Sequence, residues 1–290
     1  MAKVNVYEIV TDRIIAEMEK GIIPWQKPWT GTRDGAYSRS TGKPYSLLNQ
    51  MMLRSGEYAT YKQIQEAGGQ VRKGEKSSIV VFWKWLEVDD QHIVDDNGNP
   101  VKTHIPMLKY YNVFNVDQCD NIEKKWDEES RTHVDPIAEA EELALEYLER
   151  ENIPLENKDL GRAFYRPSTD SINMPKLDQF SGANEYYSTL YHEMTHSTGA
   201  EKRLGRIKSD KVAAFGSEDY SKEELVAEIG SATLMSMMGI EIPQTFKNSV
   251  AYLQSWIRLL KNDNRMIVSA ASQAQKAVKF ICGDVEEVAQ

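Results

Sequence analysis

The sequence predicts an α+β protein of two domains: a small α+β domain with antiparallel strands over residues 1–125 and a mainly helical domain over 136–290, joined by a linker at 126–135. Three observations predict it. The β-branched and aromatic runs that suit strands cluster before residue 117, and the longest segments of helical period follow residue 135. Between them, "DQCDNIEKKWDEESRTHVD" is polar and mostly charged.

Residues 4–20 place Val4, Ile9, Ile14, Ile15 and Met18 roughly on one helical face. Gly21 ends that helix, and the two prolines of "IIPWQKPW" prevent its continuation. "SRSTGKPYSLLNQMMLRSG" reads as a turn and a short helix; "TYKQIQEAGG" reads as another, stopped by Gly68 and Gly69. "SSIVVFWKWLEV" is a strand, "DDNGNP" carries an Asn-Gly turn signal, and "PMLKYYNVFNV" is the returning strand. The second half opens on "PIAEAEELALEYLERE", an amphipathic helix with Pro136 at its start. "RAFYRPSTDSINMP" reads as an edge strand or hairpin. "GANEYYSTLYHEMTHSTG", "SKEELVAEIGSATLMSMMGI", "VAYLQSWIRLLKND" and "MIVSAASQAQKAVKFICG" are helices.

An apolar content of 41% with 27% charged residues describes a folded globular chain, not a disordered one. No apolar run approaches the ~20 residues of a membrane span, and the N-terminus lacks the apolar core of a signal peptide. Cys119 and Cys282 lie far apart and form no metal-type pair. Together these features predict a cytoplasmic protein with no membrane partner and no disulfide framework. The net charge of −9 is unevenly spread: residues 1–85 carry 13 Lys/Arg against 8 Asp/Glu, and the remainder 22 against 36. A uniformly acidic chain is a poor ligand for phosphates, but a basic module joined to an acidic one is not.

"LYHEMTHSTG" holds His192 and His196 one helical turn apart, so both imidazoles leave the same face. Tyr187, Leu190, Tyr191 and Met194 form an apolar stripe along the same helix. His-Glu-x-x-His on a helix is the metallopeptidase signature: two ligands for a tetrahedral zinc, and in Glu193 a general base that need not bind the metal. A catalytic zinc wants a third protein ligand. His92, His104 and His133 lie in the first half or the linker, which leaves the carboxylates Glu223, Glu224 and Glu228. This segment resembles the glutamate zincins, where a helix carries Glu-x-x-x-Asp after the histidine helix. The resemblance implies Glu224 as ligand and Glu228 as the brace of a ligand histidine. Ser221 and Glu224 also match a capping box, which would occupy Glu224 at its own helix end and make Glu228 the ligand. In such a site Zn2+ (or Mn2+ or another divalent ion) would acidify water and polarise a carbonyl, with Glu193 taking the proton. Tyr220 and Tyr165 are candidate oxyanion donors. "DSINMP" offers a strand edge to a peptide substrate.

The first segment interleaves aromatics and cations. Single-strand binders combine a basic groove with aromatic stacking platforms. Trp25, Trp29, Tyr37 and Tyr45 are candidates for stacking, and Lys27, Arg33, Arg39, Lys43, Arg72, Lys73, Lys76 and Lys84 for phosphate contacts. The competing reading makes the tryptophans core and the lysines a solvated face. "GIIPWQKPW", "KGEKSSIVVFWK", "YYNVFNVDQ", "DSINMP", "YHEMTHSTG" and "EELVAEIGSA" resemble, in order and spacing over nearly the whole chain, the ArdC antirestriction family. That resemblance implies an N-terminal single-stranded-DNA-binding domain, a C-terminal zincin-like metallopeptidase domain, and carriage on plasmids or other mobile elements. Two alternatives stay open: a DNA-binding protein with a purely structural metal site, or a metallopeptidase whose first domain binds a protein partner.

Overall fold

Asn5 starts the first helix by accepting the Tyr7 N–H at 3.1 Å, and Gly21, at φ +83°, lets the chain turn away after it. The chain is described here from a computed structural model over residues 5–26, 35–94, 100–126, 136–158, 161–207, 218–241 and 250–284. The first half holds α1 (Val6–Met18), β1 (Ala36–Ser38), α2 (Leu47–Met52), β2 (Gly56–Ala59), α3 (Tyr61–Glu66), β3 (Gln70–Val71), β4 (Ser78–Val94), β5 (Pro100–Asn115) and β6 (Cys119–Asp120). Four of these strands form a sheet in the order β1-β2-β5-β4, antiparallel except for the β1–β2 pair. The hairpin of β4 and β5 is longer than the two apolar runs suggest, because its polar outer half stays paired as far as Val94 and Pro100. The Asn-Gly turn lies outside the described residues, as does all of the expected linker except Trp126. Trp126 docks back on the first sheet: its indole N–H donates to Arg39 O at 2.9 Å, and its ring leaves no room for a Cβ on Gly42.

The second half holds α4 (Pro136–Arg150), β7 (Leu155–Glu156), β8 (Phe164–Arg166), β9 (Ser171–Asn173), α5 (Ala183–Ser197), α6 (Glu218–Met238), α7 (Val250–Asn262) and α8 (Met266–Ile281). The predicted hairpin is present as β8 and β9, but the expected edge at 170–175 is not an edge. β9 lies between β8 and β7, which pairs with it in parallel, so β8 is the strand left open beside the histidine helix. The chain is thus α+β, with antiparallel strands in the first half and helices dominating the second.

The α6 helix organises both halves. From Leu225 to Ser236 every residue but Glu228 is buried, because neighbours cover this stretch on all sides. One side, with Leu234 and Met235, packs with Tyr187, Leu190, Tyr191 and Met194 of α5 and Tyr147 of α4. The other, with Leu225, Val226 and Ile229, packs with Ile14 and Met18 of α1, Met51 of α2, and α7 and α8. The two sequence halves therefore share a core. Trp25 illustrates it: fully buried, it meets Trp256 of α7 edge-on, with centroids 6.4 Å apart. The expectation that Trp25 stacks on bases is corrected, since no face of its ring reaches solvent.

Truncating such a ring leaves a cavity, so Trp25→Ala should cost roughly 3–5 kcal/mol in urea denaturation. Because the cavity opens in a core common to both halves, far-UV and near-UV signals should move together in one shifted transition.

Candidate metal centre

The apolar stripe of α5 buries that helix and turns the next face, with His192 and His196, toward α6. Gly230 of α6 sets how close the helices come. A Cβ there would lie 2.6 Å from Thr195 Cγ2 and 2.7 Å from its Oγ1, and Thr195 is fully buried with its hydroxyl donating to Tyr191 O at 2.7 Å. Only glycine permits this approach. It brings the first turns of α6 opposite the histidines.

Three donor atoms then converge. His192 Nε2 and His196 Nε2 are 3.1 Å apart, and each lies 3.5 Å from an oxygen of Glu224. A tetrahedral ion with bonds of 2.0–2.2 Å has ligand–ligand edges of about 3.4 Å. The donor set thus fits a divalent metal, and among the described residues these three form the group able to hold one. The capping alternative loses its basis, because α6 already runs from Glu218 and Ser221 lies inside it. Glu228 falls elsewhere, with Oε1 at 3.9 Å from His192 Nδ1. Among the described residues that nitrogen has no hydrogen-bond partner, and the Glu228 carboxylate stands beside it.

His196 has its own brace. Its Nδ1 lies 3.3 Å from Glu223 Oε1, and Arg206 clamps that carboxylate with two bonds of 2.9 and 3.0 Å while also donating to Thr195 O and Thr198 Oγ1. Burial opposes a charge on His196, but Glu223 and Glu224 together raise its pKa to about 10. The same carboxylates that hold a proton here would hold a cation. The role of Glu223 was not assigned from sequence. Its signal was adjacency to Glu224: neighbours on a helix point about 100° apart, so one faces the Nε2 side and the other the Nδ1 side. Nothing in the spacing pointed to Arg206.

Glu193 is buried and accepts the Tyr165 backbone N–H at 2.8 Å, so the open edge of β8 holds it. Tyr165 itself is corrected as an oxyanion donor, because its hydroxyl donates to Asp170 Oδ1 at 2.8 Å. Burial alone would raise the Asp170 pKa, but Arg203, then Lys202 and Tyr165, hold this carboxyl well below its ordinary range. Arg203 also donates to Ser197 O at 2.9 Å, tying the β8–β9 turn to the end of α5. Tyr220 faces the centre: burial and the adjacent Glu224 push its phenol up to about 12. A cavity of about 950 Å³ opens over the group, lined by Phe164, Tyr165, Tyr220, Val226 and Met266 among others.

The candidate DNA contacts are scattered. Lys27, Trp29 and Arg33 lie outside the described residues. Tyr37 is buried. Arg39 is taken up by an ion pair with the fully buried Glu57 and a bond to Glu123 O, and Arg72 bonds Asp117 O and Cys119 O. Lys73, Lys76 and Lys84 are exposed. Lys43 and Tyr45 come together in a groove with Phe82, Trp83 and Tyr111, rings that the sequence reading assigned to strands but not to a surface.

Comparison with known proteins bears on both halves. The N-terminal domain of anti-restriction factor ArdC matches residues 4–114, and a zincin-like metallopeptidase family, MPTase-PolyVal, matches residues 142–273. A DNA primase TraC of Escherichia coli is 37% identical over 95% of this chain, which spans only 27% of that protein's length. An uncharacterized protein, y4eC, of Sinorhizobium fredii (strain NBRC 101917 / NGR234) is 33% identical, with 96% of this chain covering 91% of it. The Mn(II)-bound crystal structure of antirestriction protein ArdC from plasmid R388 superposes with a TM-score of 0.72 at 35% identity, over 98% of this chain and 100% of that one.

Alanine at position 230 should raise helix propensity by about 1 kcal/mol yet lower both stability and metal affinity, because Thr195 has no room to yield. Metal titration of Gly230→Ala beside Gly230→Ser would show it; unchanged affinity in both would mean that the helix contact does not set the ligand spacing. With both halves matched in order and one solved relative superposed along its whole length, the chain belongs to the ArdC antirestriction family.

Proposed function

We propose that this chain is a metal-dependent peptidase of zincin type that also binds single-stranded DNA, and that it serves an antirestriction role in the cytoplasm of a cell receiving a mobile element. The observation that carries the hydrolytic reading is the triangle of His192, His196 and Glu224 with the carboxylate of Glu193 beside it. Those three residues would hold the ion. Two imidazoles favour Zn2+; an ArdC relative has been solved with Mn(II) bound, which supports manganese as the alternative. When bound, a divalent metal supplies a Lewis acid that polarises a scissile carbonyl and acidifies water.

The protein's own groups do the rest. Glu193, held by the Tyr165 amide, takes a proton from the attacking water and delivers it to the departing amine. Tyr220, which lines the cavity and bonds Glu224, would turn its hydroxyl to the oxygen on which charge develops. Glu223 would keep His196 Nδ1 protonated so that its Nε2 presents a lone pair, and the carboxylate of Glu228, 3.9 Å from His192 Nδ1, would favour the same tautomer there. An extended peptide would lie along β8, the open edge lining the cavity.

Purified full-length protein should carry about one divalent ion per chain by elemental analysis. Glu224→Ala should lose it, and Glu228→Ala should weaken it by roughly ten- to a hundred-fold. Glu193→Gln should keep the ion and lose peptide hydrolysis by at least ~100-fold. Hydrolysis that survives Glu193→Gln would rule the base assignment out; no hydrolysis by the metal-loaded wild type on any of a broad peptide set would leave the metal structural.

The DNA reading is supported by the ArdC N-terminal match and by exposed aromatic rings among lysines. Anisotropy with a labelled oligothymidylate should show binding that weakens steeply between about 50 and about 200 mM salt. Absence of binding at low salt would turn the first half into a protein-partner module.

A further inference from the structure

The groove between the first sheet and α8 takes no part in the metal chemistry. Its volume is about 590 Å³. Its lining carries Tyr45, Phe82 and Tyr111, with Lys43 beside them, and α8 with Lys276 and Lys279; Trp83, on the opposite face of β4 from Phe82, reaches it at the strand edge. Phe82 and Trp83 are each 42% exposed and Tyr111 39%, while Trp25 and Trp256 are buried in the core. The rings of Phe82 and Tyr111 already lean together, with centroids 5.6 Å apart. Large rings left in water at the mouth of a groove are ready to be covered by a flat ligand.

Charge identifies the ligand. Among the described residues the lining includes three lysines and no carboxylate, in a chain with 44 Asp/Glu and a net charge of −9. Lys276 and Lys279 are spaced to share one face of α8. The two walls are fixed to each other: Gln275 of α8 accepts the Leu47 N–H of α2 at 3.0 Å, and Asn49 of α2 pairs with Val81 N and O of β4 at 2.8 Å each. The groove is therefore preformed.

We propose that the single-stranded nucleic acid of the reading above, on which this inference rests, runs through a composite groove of both halves. Bases stack on the Phe82–Tyr111 pair, and the backbone is held by Lys43 on one side and by Lys276 and Lys279 of the C-terminal helix on the other. Aromatic platforms beside a basic rail suit an unpaired strand, whose bases expose their faces; a duplex hides those faces. The cations nearer the chain's start, Lys73 and Lys76, do not line this groove.

The test uses the full chain, a labelled oligothymidylate and anisotropy across a salt series. Lys276→Ala with Lys279→Ala should weaken binding by about ten-fold at low salt and flatten the log–log salt slope by about 1.4, the value for two lost single-strand phosphate contacts. Phe82→Ala and Tyr111→Ala should each weaken it by between about five-fold and a hundred-fold, whereas Tyr111→Phe, which keeps a ring, should retain most of the binding. Lys158→Ala with Lys176→Ala makes the same change in net charge elsewhere on the C-terminal half and should leave affinity and slope unaltered. Wild-type binding with an unchanged slope in the Lys276/Lys279 pair, or an equal loss in the Lys158/Lys176 pair, overturns the composite groove while the single-strand reading stands. No salt-sensitive binding by the wild type overturns that reading and this inference with it.

Discussion

Thr195 of α5 occupies the space that a side chain on Gly230 of α6 would need, and the rest of the metal centre depends on that contact. The His-Glu-x-x-His pattern brings two ligands to one helix face, but a third must come from another element at a separation of about 3.4 Å. A helix pair at ordinary packing distance is 8–10 Å between axes, and glycine against a β-branched residue allows the close end of that range. The apolar stripe on α5 drives the helices together, the missing Cβ decides where they stop, and Glu224 meets the imidazoles as a result.

Two arginines then stiffen the arrangement from opposite sides. Arg206 fixes Glu223, and through it the ring of His196, to the last turn of α5. Arg203, its side chain almost fully buried, binds Asp170 and Glu151 as well as Ser197 O, and so joins the β8–β9 turn to the same helix end. That turn carries β8, whose amide at Tyr165 holds Glu193. Buried ion pairs of this kind are weak sources of net stability, since desolvation offsets much of the attraction. Their value here is geometric: each holds one member of the site at a set distance from the others.

Much of this was legible in the sequence. The four-residue spacing of His192 and His196 placed both rings on one face, and the alternating runs at 77–88 and 106–116 gave the hairpin. What failed did so for physical reasons. Ser221 and Glu224 matched a cap only if a helix began there, and α6 begins earlier, at Glu218. Trp25 lay among cations in sequence, but a tryptophan followed by two more helical segments of the same core is taken up by packing. Arg39 and Arg72 seemed free cations because their partners, Glu57 and the carbonyls at Asp117 and Cys119, are remote in sequence. Tyr165 lost its assigned role through a contact with Asp170, across a turn whose shape no residue pattern specified.

Counting charge by halves gives a basic excess to residues 1–85 alone, yet the fold brings a lysine-bearing helix of the acidic remainder against the first sheet. The helix is α8, and it has two working faces. Met266, Ser269, Ala270 and Gln273 line the metal cavity; Val268, Ala271, Ser272, Gln275, Lys276 and Lys279 line the aromatic groove. With 3.6 residues per turn, a helix can serve both sides only if the two sets interleave, and these do. A single rigid element thus separates the two sites by little more than one helix diameter, about 10–12 Å. In the packed molecule the last helix of the chain thus lines both the metal cavity and the aromatic groove, and it ties residues of the first half to those of the second.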